Sequence, residues 1–160
     1  MDITKDEYEA VVFEHDFQKK QLSEALEIVK KYILMNGCLL VGGMAIDFCL
    51  RSKGSKLYPD FKLPDYDFLS PTFQVDAYTI GELISSQGIN GVSVIRGMHA
   101  STMRVRVNFI GVADITYVPK NIYDKIPRLK YQGFNIVHPK YQMIDQHRAL
   151  SLPYEGAPFE

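Results

Sequence analysis

Three aspartates carry the side chains best suited to chemistry in this sequence. Asp65 and Asp67 lie in the segment PDYDFLSP, and Asp114 lies in VADITYVP. Residues i and i+2 of a β-strand point to the same face, so Asp65 and Asp67 are expected to be neighbours. Two adjacent carboxylates do not both stay ionised unless a cation lies beside them. Because hard oxygen ligands suit Mg²⁺, the pair predicts a metal site.

A third carboxylate extends this site to one that can hold two metal ions. Asp114 is predicted to lie on a later strand. In phosphoryl transfer, one ion lowers the pKa of an attacking hydroxyl group and the other neutralises the departing pyrophosphate. We therefore expect Asp65, Asp67 and Asp114 to be both the catalytic and the metal-binding residues, with two Mg²⁺ or Mn²⁺ ions as cofactor.

A pair of glycines joins an apolar strand to a helix upstream of these acids. Gly42 and Gly43 lie in the segment VGGMAIDFCL, which spans residues 41–50. Glycine lets the backbone approach a ligand closely, and the start of a helix directs free N–H groups towards it. We expect Gly42 and Gly43 to bind the phosphate chain of a nucleotide.

Two arginines alternate with apolar residues on a predicted strand. Arg104 and Arg106 are separated by Val105, and if the apolar residues pack under the helices, the arginines share the opposite face beside Asp114. They would then contact a triphosphate or an RNA backbone, and we include both among the nucleotide-binding residues. Ordinary arginines on a solvent-facing strand explain the alternation equally well.

The elements that must position these residues follow from apolar periodicity and turn signals. The order of helices and strands predicts an α/β or α+β fold with a central mixed β-sheet. The predicted helices are 17–35, 42–50, 75–87 and 140–150, and the predicted strands are 38–41, 65–69, 92–96, 102–109 and 111–118. Residues 51–64 are predicted to form a loop, and 119–138 a stretch punctuated by proline.

Composition limits the class of protein. The 160 residues suffice for one domain with a single core. No apolar run approaches the roughly 20 residues that cross a bilayer. Residues 1–27 hold eight acidic against three basic side chains, and the remainder 15 basic against 11 acidic, so a polyanionic partner is tolerated but not required. Cys38 and Cys49 lie in apolar surroundings, which favours reduced thiols and an intracellular protein.

The order of these motifs resembles the nucleotidyltransferase superfamily that includes DNA polymerase β, CCA-adding enzymes and poly(A) polymerases. That pattern is a strand ending in two small residues, an acidic strand, and a third acid on a later strand. The nearest resemblance is to the poly(A) polymerase catalytic subunit of large DNA viruses, and it covers roughly residues 38–153. It is carried by GGMAID, YPDFKLPDYDFLSP, MHASTMRVRVNF, VADITYVP and VHPKYQMIDQHRALSLP. Many relatives have Ser where Gly43 stands, so phosphate binding here must depend more on backbone amides and nearby cations.

The resemblance implies a nucleotidyltransferase fold with helices on one face of the sheet and the active-site cleft on the other. It implies an N-terminal helical region at 1–37, a catalytic domain at 38–153, and the start of a linker to a further domain at 154–160. The implied activity is template-independent addition of AMP from ATP to RNA 3′ ends, in the host cytoplasm or the virion and away from membranes. A homodimer or a processivity subunit is a further implied partner.

Two alternatives remain open at this stage. The same fold can transfer a nucleotide to a small molecule or to a protein side chain, because acceptor-binding parts normally lie outside this domain. It can also serve as a non-catalytic subunit, although such modules usually lose one or more of the acids, and all three are present here.

Overall fold

The computed structural model describes residues 4–54, 65–97 and 101–138, which form four helices and seven strands. The helices are α1 (Lys5–Asn36), α2 (Gly42–Ser52), α3 (Phe73–Ser86) and α4 (Lys120–Tyr123). The strands are β1 (Leu39–Val41), β2 (Tyr66–Ser70), β3 (Val92–Arg96), β4 (Thr102–Val107), β5 (Ile110–Tyr117), β6 (Arg128–Tyr131) and β7 (Phe134–Val137).

All seven strands belong to one mixed sheet, in the order β3-β4-β5-β2-β1-β7-β6. In its middle, β2 pairs parallel with β5 and antiparallel with β1. These three strands carry or border the glycine and aspartate motifs, so motifs that are far apart in the sequence lie side by side in the sheet. The predicted mixed α/β fold is confirmed.

The two faces of the sheet differ in what covers them. The main core lies between the sheet and the three long helices, with Ile33, Phe68, Ile80 and Ile115 almost fully buried there. The opposite face has a smaller apolar cluster around Leu39, Ile126 and Val137, with Tyr123 of α4 packed against it. Burial of each large apolar side chain stabilises the fold by about 1.5–3 kcal/mol. The three long helices lie on the face that holds the main core, as predicted.

Helix α1 begins twelve residues before the predicted start at residue 17. Thr4 and Glu7 form a reciprocal capping box, in which the Glu7 amide donates to Thr4 Oγ1 at 3.2 Å and the Thr4 amide to Glu7 Oε2 at 3.0 Å. This pattern satisfies two backbone donors and starts a helix. Its other end is at Gly37, whose φ of 61° suits glycine.

The hairpin of β4 and β5 contains a β-bulge. Its tight turn has Asn108 and Phe109 at positive φ, after which Arg106 pairs with Gly111 but Val105 pairs with Ala113. Val112 is the extra residue, and both Val112 and Ala113 are fully buried. Without the bulge, alternation would place Asp114 on the face opposite to Arg104.

The stretch 119–138 holds more regular structure than predicted. It contains α4 and a hairpin of β6 and β7, turned by Gln132 and Gly133 at positive φ. Strand β7 pairs parallel with β1, far away in sequence. The predicted helix at 140–150 lies outside the described residues. Within the described parts of the chain, no helix is both long and apolar enough to cross a membrane.

Candidate active site

The structure brings the three predicted aspartates together on the middle strands. Asp67 of β2 lies directly opposite Asp114 of β5, and Asp65 immediately precedes β2. One carboxylate oxygen from each residue lies within 4.8 Å of those of the other two. Among the described residues, this is the one group of three or more acidic, histidine or cysteine side chains close enough to share a metal ion.

The protonation of Asp67 is altered by its surroundings. Burial, the charges of Asp65 and Asp114, and a hydrogen bond with Asp114 raise the pKa of Asp67 from 3.8 to about 7, while Arg104 lowers it. Near neutral pH the metal-free carboxyl group is therefore protonated part of the time. The site holds more negative charge than its own side chains neutralise, which is the condition that attracts a cation.

Arg104 of β4 holds Asp114 through both carboxylate oxygens. Its Nε donates to Asp114 Oδ1 at 2.7 Å and its Nη2 to Oδ2 at 3.2 Å. The two residues are direct cross-strand partners, a position created by the bulge at Val112. The hydrogen bond and charge of Asp114 raise the pKa of Arg104 further above its ordinary value. Such a bidentate pair fixes orientation as well as charge.

Arg106 is in a different environment from Arg104. It lies two residues further along β4, between Ser93 of β3 and Gly111 of β5. Its Nε is buried without a hydrogen-bond partner among the described residues. The sequence pattern did not distinguish the two arginines. In the structure, Arg104 donates to a carboxylate, whereas the Nε of Arg106 has no hydrogen-bond partner among the described residues.

Gly42 lies where the backbone passes closest to the acids. Val41 pairs with Asp67 across the sheet, and Gly42 then turns into α2 with a φ of 74°. A Cβ atom on Gly42 would be 2.6 Å from Asp67 Oδ2. The sequence motif indicated phosphate binding here, but the structure adds that Gly42 makes room for the Asp67 carboxylate. Gly43 follows in the first turn of α2 and is partly exposed.

The donor set fits a hard divalent cation. All three side chains offer carboxylate oxygens, which are typical ligands of Mg²⁺ and Mn²⁺. Asp65 is exposed, whereas Asp67 and Asp114 are half-buried, so one side of the cluster is open to solvent. The space beside Asp67 that a Cβ at Gly42 would fill adds to this access.

A second aspartate–arginine pair was not anticipated from the sequence. Asp47 and Arg51 lie one turn apart on α2, and Arg51 Nε donates to Asp47 Oδ2 at 2.6 Å. The Asp47 side chain is only 4% exposed. The i, i+4 spacing of an acid and a base on a predicted helix was the signal that could have revealed it.

A cavity of about 660 Å³ lies between α1 and α3, and its lining residues include Ile28, Met35 and Leu83. None of the three clustered aspartates lines it.

The mixed sheet, the glycine turn into α2 and the three carboxylates on and beside adjacent strands are the arrangement of a nucleotidyltransferase fold. Consistent with this class, a crystal structure of the Megavirus polyadenylate synthase has the same fold, with a TM-score of 0.77 over 94% of this chain and 34% of that chain, at 24% sequence identity.

The chain belongs to the poly(A) polymerase catalytic subunit family, whose sequence model matches residues 27–156. It is 38% identical over 159 residues to a protein of African swine fever virus (isolate Pig/Kenya/KEN-50/1950) that carries the name poly(A) polymerase catalytic subunit, covering 99% of this chain and 34% of that protein. A protein of the same name in Acanthamoeba polyphaga mimivirus is 27% identical over 134 residues, which is 82% of this chain and 23% of that protein. The chain spans about a third or less of the length of these relatives.

Proposed function

We propose that this chain is the nucleotide-transferring part of a poly(A) polymerase, which adds AMP from ATP to RNA 3′ ends without a template. The observation that carries the proposal is the cluster of Asp65, Asp67 and Asp114 beside the glycine turn, in a chain of this family. The RNA hydroxyl would attack the α-phosphorus of ATP, with pyrophosphate as the leaving group.

The three aspartates have distinct roles in this proposal. Asp65 and Asp67 would hold both divalent ions, and Asp114 would hold the one nearer the attacking hydroxyl. Two Mg²⁺ or Mn²⁺ ions, when bound, would supply activation of that hydroxyl and neutralisation of the pyrophosphate charge. The raised pKa of Asp67 supports this assignment, because a protonated acid in a metal-free cluster is the expected state of a cation site.

The glycines and arginines would orient the nucleotide. Gly42 keeps the space beside Asp67 clear, and the first-turn N–H groups of α2 are available because Val41 makes no side-chain cap. These N–H groups favour negative phosphate oxygens. Arg104 and Arg106 would supply positive charge on the same face of β4.

RNA binding would require more surface than this chain offers. The sequence has 18 basic and 19 acidic residues, whereas nucleic-acid affinity depends largely on Lys and Arg contacts to phosphates. We propose that residues 38–153 form the catalytic domain after a helical region at 1–37. The remaining RNA channel would come from a further domain joined through 154–160, or from a second subunit. The setting would be an infected host cell or the virion.

A paired binding and extension experiment tests the proposal. ATP binding is measured by calorimetry with Mg²⁺, and extension of labelled RNA is measured at low salt with each of the four NTPs in Mg²⁺ and in Mn²⁺. We expect weak, metal-dependent ATP binding. RNA extension should be slight or absent, and any extension should occur with ATP and not with the other three nucleotides. RNA with a 3′-deoxy end is the matched control and must not be extended.

Three outcomes separate the alternatives. Processive tailing by this chain alone would show that the RNA site lies within it, contrary to the proposal. AMP transfer to a protein or a small molecule without RNA would replace the proposed acceptor. Absence of metal-dependent ATP binding would favour a non-catalytic subunit.

A further inference from the structure

The contact between Arg104 and Asp114 conflicts with the metal-binding role assigned to Asp114. Both Asp114 oxygens accept hydrogen bonds from the guanidinium group, at 2.7 and 3.2 Å. A guanidinium bound through both oxygens takes up one edge of the carboxylate and neutralises its charge, so it competes with a cation for Asp114. Asp67 and Asp65 lie within 4.8 Å of the same carboxylate, so a metal ion shared by all three would occupy the region that the guanidinium neutralises.

The exposed fractions of the two side chains indicate that Arg104, rather than Asp114, is the partner that can move when a metal ion binds. The Asp114 side chain is 18% exposed, and its strand is fixed between β4 and β2. The Arg104 side chain is 43% exposed and ends a long, flexible chain. Rotation of Arg104 costs no backbone hydrogen bond, whereas moving Asp114 would disturb the centre of the sheet.

The face of β4 offers an alternative position for the released guanidinium. Arg106 is two residues away on the same face, with an unpaired Nε. Together the two side chains can bind an anion with several negative oxygens, since guanidinium groups match phosphate geometry. Released Arg104 would therefore face the phosphate chain that the proposed function places beside Gly42.

We propose that Arg104 is an exchangeable counter-cation, which occupies Asp114 in the metal-free protein and passes to the nucleotide phosphates when divalent cations bind. This inference rests on the proposed function and adds to it a residue that couples the two binding events. Arg104 is a positioning residue here, because it acts through Asp114 and through the phosphates. It predicts that metal and ATP each strengthen binding of the other by the same factor.

The test separates metal affinity from nucleotide affinity in four forms of the chain. Mn²⁺ binding without nucleotide, and ATP binding at saturating Mn²⁺, are measured by calorimetry for the unaltered protein, Arg104→Met, Arg104→Lys and Arg106→Met. Arg106→Met is the matched control, because it removes the same charge from the same face without touching Asp114. Thermal melting of each variant establishes that it is folded.

In Arg104→Met, we expect the affinities for Mn²⁺ and for ATP to change in opposite directions. Without its competitor, the metal site should bind Mn²⁺ roughly tenfold more tightly, while ATP binding at saturating Mn²⁺ should weaken by a similar factor. Arg104→Lys keeps the charge but loses the bidentate contact, so its Mn²⁺ affinity should be intermediate. Arg106→Met should weaken ATP binding and change Mn²⁺ affinity much less than Arg104→Met does, because the cross-strand partners of Arg106 are Ser93 and Gly111 rather than Asp114.

Three results would overturn the inference. Unchanged or weaker Mn²⁺ binding in both Arg104 variants would show that Arg104 holds Asp114 in place for the metal. An equal gain in Arg106→Met would reduce the effect to general electrostatics. Absence of Mn²⁺ binding in all four forms would remove the metal site from the proposed function as well. Because no RNA is present in these binding measurements, AMP transfer to a protein or a small molecule would reject the proposed RNA acceptor and leave this inference standing.

Discussion

Two aspartate–arginine pairs in this fold share the same bond but have different surroundings. In the α2 pair, Arg51 Nε lies 2.6 Å from Asp47, and in the sheet pair, Arg104 Nε lies 2.7 Å from Asp114. The α2 side chains are 26% and 4% exposed, and those of the sheet pair are 43% and 18% exposed. Only the sheet pair lies beside further clustered carboxylates among the residues that the structure describes.

The comparison shows that neighbouring charges, rather than the bond itself, decide what an ion pair does. Arg51 is one turn from Asp47 on the same helix and compensates a buried charge, so removal of either partner is expected to destabilise the fold. Arg104 compensates one of three carboxylates, and burial together with the charges of Asp65 and Asp114 raises the pKa of Asp67. The second pair is therefore part of the proposed metal site, and three experiments can separate the two roles.

The largest expected effect comes from Asp67→Asn, which changes the sheet site alone. Even outer-shell partners of a metal change its affinity by about 10–100-fold, so loss of a ligand should weaken Mn²⁺ binding by about 100-fold or more. The metal-free protein should melt at the same or a higher temperature, because one repelling charge is removed.

Calorimetry and thermal melting with EDTA measure these two effects on Asp67→Asn. Asp47→Asn is the matched control for Mn²⁺ affinity, since it removes a carboxylate that is more buried than Asp67 and lies outside the cluster. A fall of several degrees in the melting temperature of metal-free Asp67→Asn would identify Asp67 as a structural residue.

The second effect concerns the α2 pair, through Arg51→Met. Removing the guanidinium leaves a buried carboxylate without this partner, and we expect the free energy of unfolding to fall by about 2–3 kcal/mol. Urea denaturation measures that loss, and Arg51→Lys should recover part of it. Mn²⁺ affinity should not change. A clear change in Mn²⁺ affinity in folded Arg51→Met would show that the two pairs are coupled.

The smallest expected effect is a pH dependence of the metal-free protein. Burial and the charges of Asp65 and Asp114 raise the pKa of Asp67 from 3.8 to about 7 in the fold, against the lowering effect of Arg104. The folded protein holds this proton more tightly than the unfolded chain, so the linked stability is fully present below the ordinary pKa and is lost as pH rises through about 7. In EDTA, the melting temperature should fall by about 2–4 °C between mildly acidic and mildly alkaline pH.

Two controls isolate the Asp67 contribution to that slope. Asp67→Asn lacks the titrating group and should flatten the pH dependence, and saturating Mn²⁺ should also flatten it because the metal replaces the proton. A melting temperature that rises with pH over this interval in the unaltered metal-free protein would contradict the assignment.

Local patterns predicted the acid cluster, whereas long-range pairing did not follow from them. The i, i+2 spacing of Asp65 and Asp67 and the turn at Gly42 are properties of short segments, and the structure shows both. The parallel pairing of β7 with β1 depends on residues almost a hundred positions apart, for which periodicity gives no signal. The capping box at Thr4 and the Gln132–Gly133 turn were readable in principle, since both are local motifs.

The position of Arg104 opposite Asp114 shows why the rest could not be predicted. Counting back from the turn at Asn108 and Phe109 on an unbroken ladder pairs Arg104 with Ala113 and sends Asp114 to the helix-covered face. The residues alone do not reveal that Val112 is accommodated as a bulge. The expectation that the arginines lie beside Asp114 therefore depended on how the apolar residues would pack.

The bulge also has a consequence for how this hairpin can evolve. Between the turn and Asp114, β5 is one residue longer than a regular ladder requires. Losing one residue from 110–113 would convert the hairpin to unbroken pairing and still leave Asp114 across from Arg104. Gaining one would require a wider bulge or would rotate the acid into the core. Length variation among descendants of this sequence is therefore expected to be one-sided here, with deletions tolerated and insertions purged.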